Sequence, residues 1–213
     1  MNSTTDTVHA ACTAQATIDS PLGAILLART AKGLAGAWFE GQKHHPGTFA
    51  APERPEDALL AQAAAQLQTY FAGGDHGFDL PLDLHGTPFQ RAVWHALLAI
   101  DAGDTRSYGE IAAAIGSASA VRAVGGAVGR NPVSVIVPCH RVVGCDGSLT
   151  GYAGGVQRKQ ALLALERAPG ARRPLTPALS PEYGGEGAAL EAPPAGAAKP
   201  AQEFVALHDS LVR

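Results

Sequence analysis

A thiol, an imidazole and a guanidinium follow one another at Cys139, His140 and Arg141, directly after Pro138 and an apolar run. An ordinary thiol, with a pKa of about 8.5, is mostly protonated at neutral pH, so a nucleophilic cysteine needs a base beside it. His140 is the obvious base, and its ring needs a third group to hold it. The pattern indicates nucleophilic chemistry at a sulfur that must be ionised and within reach of its substrate.

The adjacency of Cys139 and His140 limits how they can cooperate. Neighbouring side chains point apart on a strand and do not face each other on a helix. Cooperation therefore requires a sharp turn, which the fixed φ of Pro138 favours, or a bridging water. The alternative is an inert, packed Cys139 followed by the polar end of a strand. The residues themselves leave both interpretations open.

The cysteine and histidine contents argue against metal and disulfide chemistry. Cys12, Cys139 and Cys145 form an odd, sparse set that suits a reducing compartment. The pair His44 and His45 falls in a predicted loop, where a solvated surface is favoured over a zinc site. We expect no metal and no cofactor.

The apolar and charged residues suggest a cytoplasmic protein. The sequence has no run of 18 apolar residues and no signal-peptide pattern at its start, so we expect no membrane segment. Residues 86–167 carry eight Lys and Arg against five Asp and Glu, within a chain of net charge −3. A mildly basic segment of this kind can contact phosphates locally.

The first half of the chain reads as a small sheet with one helix. Short apolar runs split by turn residues predict an antiparallel meander of three strands within residues 14–40. A helix then begins near Pro55, with acids in its first turn, and ends at Gly73-Gly74. Residues 78–84 resemble an edge strand, because Pro81 cannot donate to a ladder.

The second half reads as mostly helical. Capping boxes at Thr87 and Ser107 open two helices, and Ser117 or Ser119 caps a third, AVRAVGGAVG. A turn of three or four residues between the last two predicts a helix-turn-helix. The β-branched run 133–138 predicts a fully buried strand, and residues 156–167 predict an amphipathic helix.

These elements predict an α+β fold. Its parts are an N-terminal extension (1–13), an N-terminal α/β domain (14–85), a C-terminal domain (86–167) and a Pro-, Ala- and Gly-rich disordered tail (168–213).

Two adjacent glycines inside the third of these helices call for a reason. Gly125 and Gly126 each cost about 1 kcal/mol relative to alanine, a cost usually tolerated for a close approach. The approaching group is either another helix of the same protein or a nucleic-acid groove. Arg122 lies on this helix among small residues and can protrude.

Four segments resemble one family. RSYGEIAAAIG, AVRAVGGAVGRNP, VPCHRVVG and GYAGGVQRKQALLALE, in that order and spacing, resemble the O6-alkylguanine-DNA alkyltransferases, above all the stand-alone bacterial methylated-DNA–protein-cysteine methyltransferases. The resemblance covers about residues 14–167 and is strongest from Thr87 onward. It implies a ribonuclease H-like N-terminal domain and a winged-helix-like, helix-turn-helix C-terminal domain.

The resemblance implies DNA repair by irreversible, stoichiometric transfer of an alkyl group from O6-alkylguanine, and also O4-alkylthymine, to Cys139. In the family a hydrogen-bonded chain runs from Cys139 through a water to His140 and Glu166. Asn131 braces the active-site turn, and the Tyr108 hydroxyl donates toward N3 of the departing guanine.

The resemblance also implies a substrate pocket and a DNA surface. Carbonyls of Cys139 and Val142 accept from the guanine amine, the Ala153 amide donates to O6, and Tyr152 lines the pocket. Arg122 fills the stack where the target nucleotide has flipped out. The small residues Ala123, Gly125, Gly126 and Ala127 fit the minor groove. The expected partner is double-stranded DNA, bound by a monomer.

Two other functions compete with this one. A helix-turn-helix module with a structural cysteine would bind damaged DNA without catalysis. A cysteine hydrolase would turn over many times and needs an oxyanion hole, which the sequence does not reveal. Related alkyltransferase-like proteins replace the reactive cysteine, so Cys139 argues against that class.

Overall fold

The computed structural model describes residues 4–74 and 77–167. The tail for which disorder is predicted, residues 168–213, lies outside the described residues. Among the helices in the described part of the chain, none combines the length and the apolar character needed to cross a bilayer.

The N-terminal part contains the predicted three-stranded meander. β1 (Ala14–Ile18), β2 (Ile25–Arg29) and β3 (Leu34–Phe39) pair antiparallel in that order. All residues of β3 are buried, because both faces and the outer edge of this strand are covered. β3 is therefore the strand against which the rest of the molecule is assembled.

One face of the sheet is covered by a helix that the sequence analysis did not predict. α1 (Thr4–Ala11) places Val8 against Trp38 and Phe49 in a small apolar cluster. The other face is covered by α2 (Ala58–Phe71), through Leu60 and Leu67 among others.

α2 begins and ends close to its predicted limits. The Asp57 carboxylate caps it by accepting from the amides of Leu59 and Leu60, so the acids precede the first turn rather than lie in it. Gly73, with φ +77°, ends it in the left-handed conformation that glycine favours.

The segment 78–84 lies at the edge of the sheet, as predicted, but it does not form a strand. The Leu34 amide donates to the Pro81 carbonyl at 2.7 Å, and the Asp83 amide donates to the Leu34 carbonyl at 2.9 Å. This single bridge, between Leu82 and Leu34, lies on the edge of β3, and the pairing goes no further.

The C-terminal part is helical, as predicted. Both capping boxes form, Thr87 with Gln90 and Ser107 with Glu110. No side chain caps the fifth helix, whose N-cap is Ala120, so the prediction of a Ser117 or Ser119 cap is wrong. The helices are α3 (Pro88–Leu98), α4 (Tyr108–Ala114), α5 (Val121–Val128) and α6 (Val156–Arg167). Residues 115–120 connect α4 to α5, and this connection is longer than the predicted tight turn.

The predicted buried strand at 133–138 is also wrong. The segment is buried, but its backbone bonds to itself: the Ile136 amide donates to the Ser134 carbonyl at 2.9 Å and the Val137 amide to the Val133 carbonyl at 2.9 Å. Val135 has φ +73°, which a β-branched residue rarely adopts. A continuous apolar run indicates that a segment is buried. The order of its residues does not distinguish a buried strand from buried turns.

A turn of 3-10 helix, Cys139–Arg141, follows these turns and leads into β5 (Val142–Val143). β5 pairs in parallel with β4 (Arg106–Ser107), just before α4. The sharp turn that cooperation between Cys139 and His140 requires is therefore present.

Candidate active site

The loop before Cys139 is organised around the side chain of Asn131. Its Oδ1 accepts from the Val133 amide at 3.0 Å, while Nδ2 donates to the Val137 carbonyl at 2.8 Å and lies 3.0 Å from Cys139 Sγ. One buried amide thus joins both ends of the loop and contacts the sulfur. The bracing role that the resemblance implies for Asn131 has a geometric basis here.

The N-terminal sheet supports the same loop. The Ala37 amide in β3 donates to the Pro132 carbonyl at 2.9 Å, and the Ser134 amide returns a bond to the Ala37 carbonyl at 2.8 Å. Ser134 Oγ also donates to Gln42 Oε1 at 3.1 Å, and Gln42 is itself buried. The nucleophile loop is therefore built on the edge of β3.

Cys139 is a buried thiol in the resting protein. Its exposed fraction is 4 %, and burial raises its pKa to about 11, although Asn131 and the charge of Lys159 act in the opposite direction. The sulfur is therefore a protonated thiol in the resting molecule. A nucleophilic role for Cys139 requires a base that takes up its proton.

His140 is in a suitable state to be that base. Its Nε2 lies 2.8 Å from Glu166 Oε1, and because an ionised carboxylate only accepts, Nε2 carries the proton. The lone pair is then on Nδ1, which has no hydrogen-bond partner among the described residues. Burial, together with the charges of Arg141 and Lys159, lowers the pKa of His140 despite the opposing effect of Glu166, so the ring is neutral at pH 7 and can take up a proton.

Glu166, on α6, is the third group that the histidine needs. Burial raises its pKa, but the hydrogen bonds and charges of His140 and Arg141 outweigh burial and hold the pKa well below its usual range. Arg141 Nη2 lies 2.7 Å from Oε1 and Nε lies 3.0 Å from Oε2. The carboxylate is therefore ionised and held from several sides.

Lys159 is a functional candidate that the sequence analysis missed. It is fully buried, and its Nζ donates to the carbonyls of Val142 at 2.6 Å and Thr150 at 3.0 Å. Burial lowers its pKa to about 8, and its charge favours the thiolate form of Cys139. The available signal was its position two helical turns before Glu166, on the buried face of α6.

Two tyrosines flank the sulfur. The Tyr108 hydroxyl donates to the carbonyls of Thr150 at 3.1 Å and Gly151 at 3.3 Å. Burial and the nearby Cys139 raise the pKa values of both Tyr108 and Tyr152, so both phenols stay protonated and able to donate. A Cβ at Gly125 would lie 3.9 Å from the Tyr108 ring, which is an ordinary van der Waals distance, so the position of Tyr108 does not by itself require a glycine there.

Val142 and Ala153 are the other residues predicted to line the pocket, and the carbonyl of each accepts a hydrogen bond. The Val142 carbonyl already accepts from Lys159, and a carbonyl oxygen can accept a second hydrogen bond. Ala153 is half-buried, and its carbonyl accepts from the Lys43 amide at 2.8 Å. The pocket wall is thereby tied to the N-terminal domain.

The predicted DNA-facing residues on α5 are divided between surface and core. Arg122 and Ala123 are exposed, and Gly125 and Gly126 are half-buried. Ala127 is only 3 % exposed, and its carbonyl accepts from Trp94 Nε1 at 2.9 Å. Its burial against α3 leaves very little of Ala127 for the predicted DNA contact, which stays a prediction.

The described residues contain no group of three or more His, Cys, Asp or Glu side chains arranged to hold a metal ion.

Comparison with known proteins identifies relatives of both parts of the chain. Residues 14–84 match the family model for the 6-O-methylguanine DNA methyltransferase ribonuclease-like domain, and residues 88–168 match that for the DNA-binding domain of the same family. The chain is 51% identical over 151 residues to the methylated-DNA–protein-cysteine methyltransferase of Mycolicibacterium paratuberculosis, covering 71% of this chain and 90% of the relative. It is 46% identical over 154 residues to the constitutive enzyme of that name from Bacillus subtilis, covering 71% and 93%.

A solved structure shares the fold. The crystal structure of Mycobacterium tuberculosis OGT in complex with DNA superposes with a TM-score of 0.68 at 49% identity, covering 72% of this chain and 92% of that one.

Proposed function

Because this chain belongs to the 6-O-methylguanine DNA methyltransferase family, we propose that it repairs DNA by transferring an alkyl group directly from O6-alkylguanine to Cys139. The observation that carries the proposal is the pairing of two buried contacts on adjacent residues, Asn131 with Cys139 and Glu166 with His140. It unites a nucleophile, its support, a neutral base and an anion that orients the base.

The chemistry follows from the states of these groups. His140 Nδ1 takes the proton of the Cys139 thiol, directly or through a water, and the Glu166 carboxylate stabilises the imidazolium that results. The thiolate forms a bond to the alkyl carbon as the bond from that carbon to guanine O6 breaks. The electron pair goes to the guanine. The Tyr108 hydroxyl turns from the carbonyls of Thr150 and Gly151 to donate toward guanine N3.

Burial of the sulfur has a positive role in this scheme. A thiolate formed in a water-excluded site is poorly solvated and therefore reactive, and Lys159 stabilises its charge without competing for the alkyl group. The product is a thioether, which this chemistry cannot cleave. Each protein molecule therefore acts once.

The proposed DNA surface is the exposed face of α5. Arg122 is exposed, and in this proposal it enters the stack after the damaged nucleotide flips out, with Ala123 and Gly126 against the minor groove. Because these contacts do not depend on which base is damaged, we propose O4-alkylthymine as a substrate in addition to O6-alkylguanine. We propose a cytoplasmic monomer that acts on double-stranded DNA, with its domains divided near residue 85.

A label-transfer assay tests this function. Duplex DNA with a labelled methyl group on guanine O6 is mixed with excess protein and then with limiting protein. We expect one label per protein at most, none on Cys139→Ala, and an unchanged yield on the matched control Cys145→Ala, because Cys145 is exposed and outside the site. Repeated turnover would indicate a hydrolase, and DNA binding without label would indicate a binding module.

A further inference from the structure

Glu166 receives a hydrogen bond from the N-terminal domain. Tyr70, in the last turn of α2, donates its hydroxyl proton to Glu166 Oε1 over 2.8 Å, and both residues are buried. The two lie 96 residues apart in the sequence, so the contact exists only because the domains pack together.

Tyr70 donates to Oε1 of Glu166, the same oxygen that accepts a hydrogen bond from His140. Glu166 Oε1 also accepts from His140 Nε2 at 2.8 Å and from Arg141 Nη2 at 2.7 Å. Three residues thus share the negative charge of one oxygen, with Arg141 donating a second bond to it from Nε at 3.2 Å. The strength of any one of these bonds depends on the others.

Tyr70 is held as a permanent donor. Its ring packs against Phe71 and Phe78, with centroids 5.4 and 5.6 Å away. Burial and the charge of Glu166 raise the pKa of Tyr70 far above the physiological range, so the hydroxyl keeps its proton.

We propose that Tyr70 is a positioning residue of the alkyl-transfer site, which fixes the Glu166 carboxylate and tunes the basicity of His140 through it. The inference rests on the proposed function, since it needs His140 to act as the base. It assigns to α2 of the N-terminal domain a direct part in the reaction.

Removal of the hydroxyl has a predictable electrostatic effect. With Tyr70→Phe, the charge on Oε1 is shared by two residues, His140 and Arg141, instead of three. His140 is then exposed to more of that charge, and its imidazolium form is stabilised. The other groups around His140 and Glu166 stay in place. Arg141 and the Gly103 amide bind Glu166, and Arg167 lies beside it. Lys159 and Cys139 lie near His140.

The test is the pH dependence of single-turnover methyl transfer by the full chain at saturating DNA. The rate falls on the acid side as His140 becomes protonated. We expect Tyr70→Phe to move this acid limb upward by about half a pH unit and to slow transfer about fivefold, the equivalent of one ordinary hydrogen bond. The affinity for undamaged duplex should not change.

Thr30→Val is the matched control. Thr30 is a buried hydroxyl of the same domain that donates to a different carboxylate, Asp83, at 2.6 Å. Its loss should lower the melting temperature without moving the acid limb. An equal movement in both variants would overturn the proposal.

A double variant separates positioning from packing. In a Glu166→Gln background the shared anionic oxygen is gone, so adding Tyr70→Phe should leave the acid limb where it is. Equal rate losses from Tyr70→Phe in both backgrounds would show that the hydroxyl acts through packing alone and would overturn the proposal.

A second substitution covers the case in which Tyr70→Phe does not fold. Replacing Tyr70 by 3-fluorotyrosine keeps the hydroxyl and makes it a stronger donor, so the acid limb should move to lower pH. No movement would contradict the proposal. Failure of the proposed function is distinct, because the wild-type chain would then transfer no methyl group.

Discussion

At the residue scale, burial shields the Cys139 sulfur, and we propose that its neighbours activate it. The thiol of Cys139 has a pKa of about 11 at rest, while its partner His140 is neutral and oriented by Glu166. An exposed thiolate would react with oxidants and stray electrophiles. A buried thiol that loses its proton only when the substrate fills the pocket keeps its single reaction for the lesion.

Sequence reasoning reached this chemistry only in part. The adjacency of Cys139 and His140 posed the question, and the family resemblance supplied Glu166 as the third group. The contacts of Lys159 and Tyr70 with the site were not foreseen, because they join segments far apart in the chain. A buried lysine and a helical tyrosine look like an ordinary surface residue and an ordinary core residue until the domains are packed together.

Arg122→Ala provides a prediction at this scale. If Arg122 fills the gap left by the flipped nucleotide, its loss should slow transfer from duplex DNA by about tenfold or more, since unstacking costs a few kcal/mol. Transfer from the free base O6-methylguanine should be unchanged, because no flipping is needed. The measurement is the single-turnover rate with each substrate.

Arg91→Ala is the control, since Arg91 is an exposed arginine on α3 and carries the same charge. Equal losses in the two variants on duplex DNA would mean that Arg122 contributes charge alone.

At the scale of elements, the loop from Asn131 to Pro138 replaces a predicted strand. A strand would have sent alternate side chains to opposite faces and carried Cys139 away from His140. The local turns, including the left-handed Val135, instead bury every residue and end in the 3-10 turn. The capping boxes of α3 and α4 were predictable because they are local, whereas this loop depends on β3 and the Asn131 side chain.

Asn131→Ala should therefore affect both stability and rate. It removes several buried hydrogen bonds and leaves their partners unpaired, so we expect a loss of about 2–4 kcal/mol in the free energy of unfolding. Methyl transfer should slow even under conditions where the variant is fully folded. Denaturant unfolding and single-turnover kinetics measure the two effects.

Thr87→Ala is the matched comparison, because it removes a helix cap and should cost about 1 kcal/mol without slowing transfer. Transfer by Asn131→Ala at the wild-type rate would show that the amide is structural only.

At the scale of the whole molecule, the two parts of the chain meet at the active site. β3 supports the nucleophile loop, the Lys43 amide holds Ala153, and Tyr70 reaches Glu166. Arg158 adds another tie: Nε donates to the Leu22 carbonyl at 2.8 Å. The sequence predicted the three-stranded meander and the helices α2 to α6, but not these contacts, since no local pattern encodes which surfaces meet.

The ionised Glu166 makes stability depend on pH. Its pKa is lower in the folded chain than in the unfolded one, so the carboxylate stabilises the fold fully above an ordinary pKa of about 4.5 and loses that contribution as the pH falls below it. Thermal melts from pH 7 to 3 should show this loss in the wild type and a smaller one in Glu166→Gln. Glu166→Gln should also be less stable at pH 7, because Arg141 loses its ionic partner.

Glu56→Gln, at an exposed carboxylate, is expected to follow the wild type. Parallel curves for Glu166→Gln and the wild type would refute the account of the buried carboxylate.

The central claim is that the alkyl group is transferred to the sulfur of Cys139. After the full chain is mixed with a duplex that contains one O6-methylguanine, peptide mapping by mass spectrometry locates the added methyl group among Cys12, Cys139 and Cys145. We predict complete methylation of Cys139 and none of the other two cysteines. A methyl group on either of those, or an unmodified Cys139 beside a repaired guanine, would contradict the account.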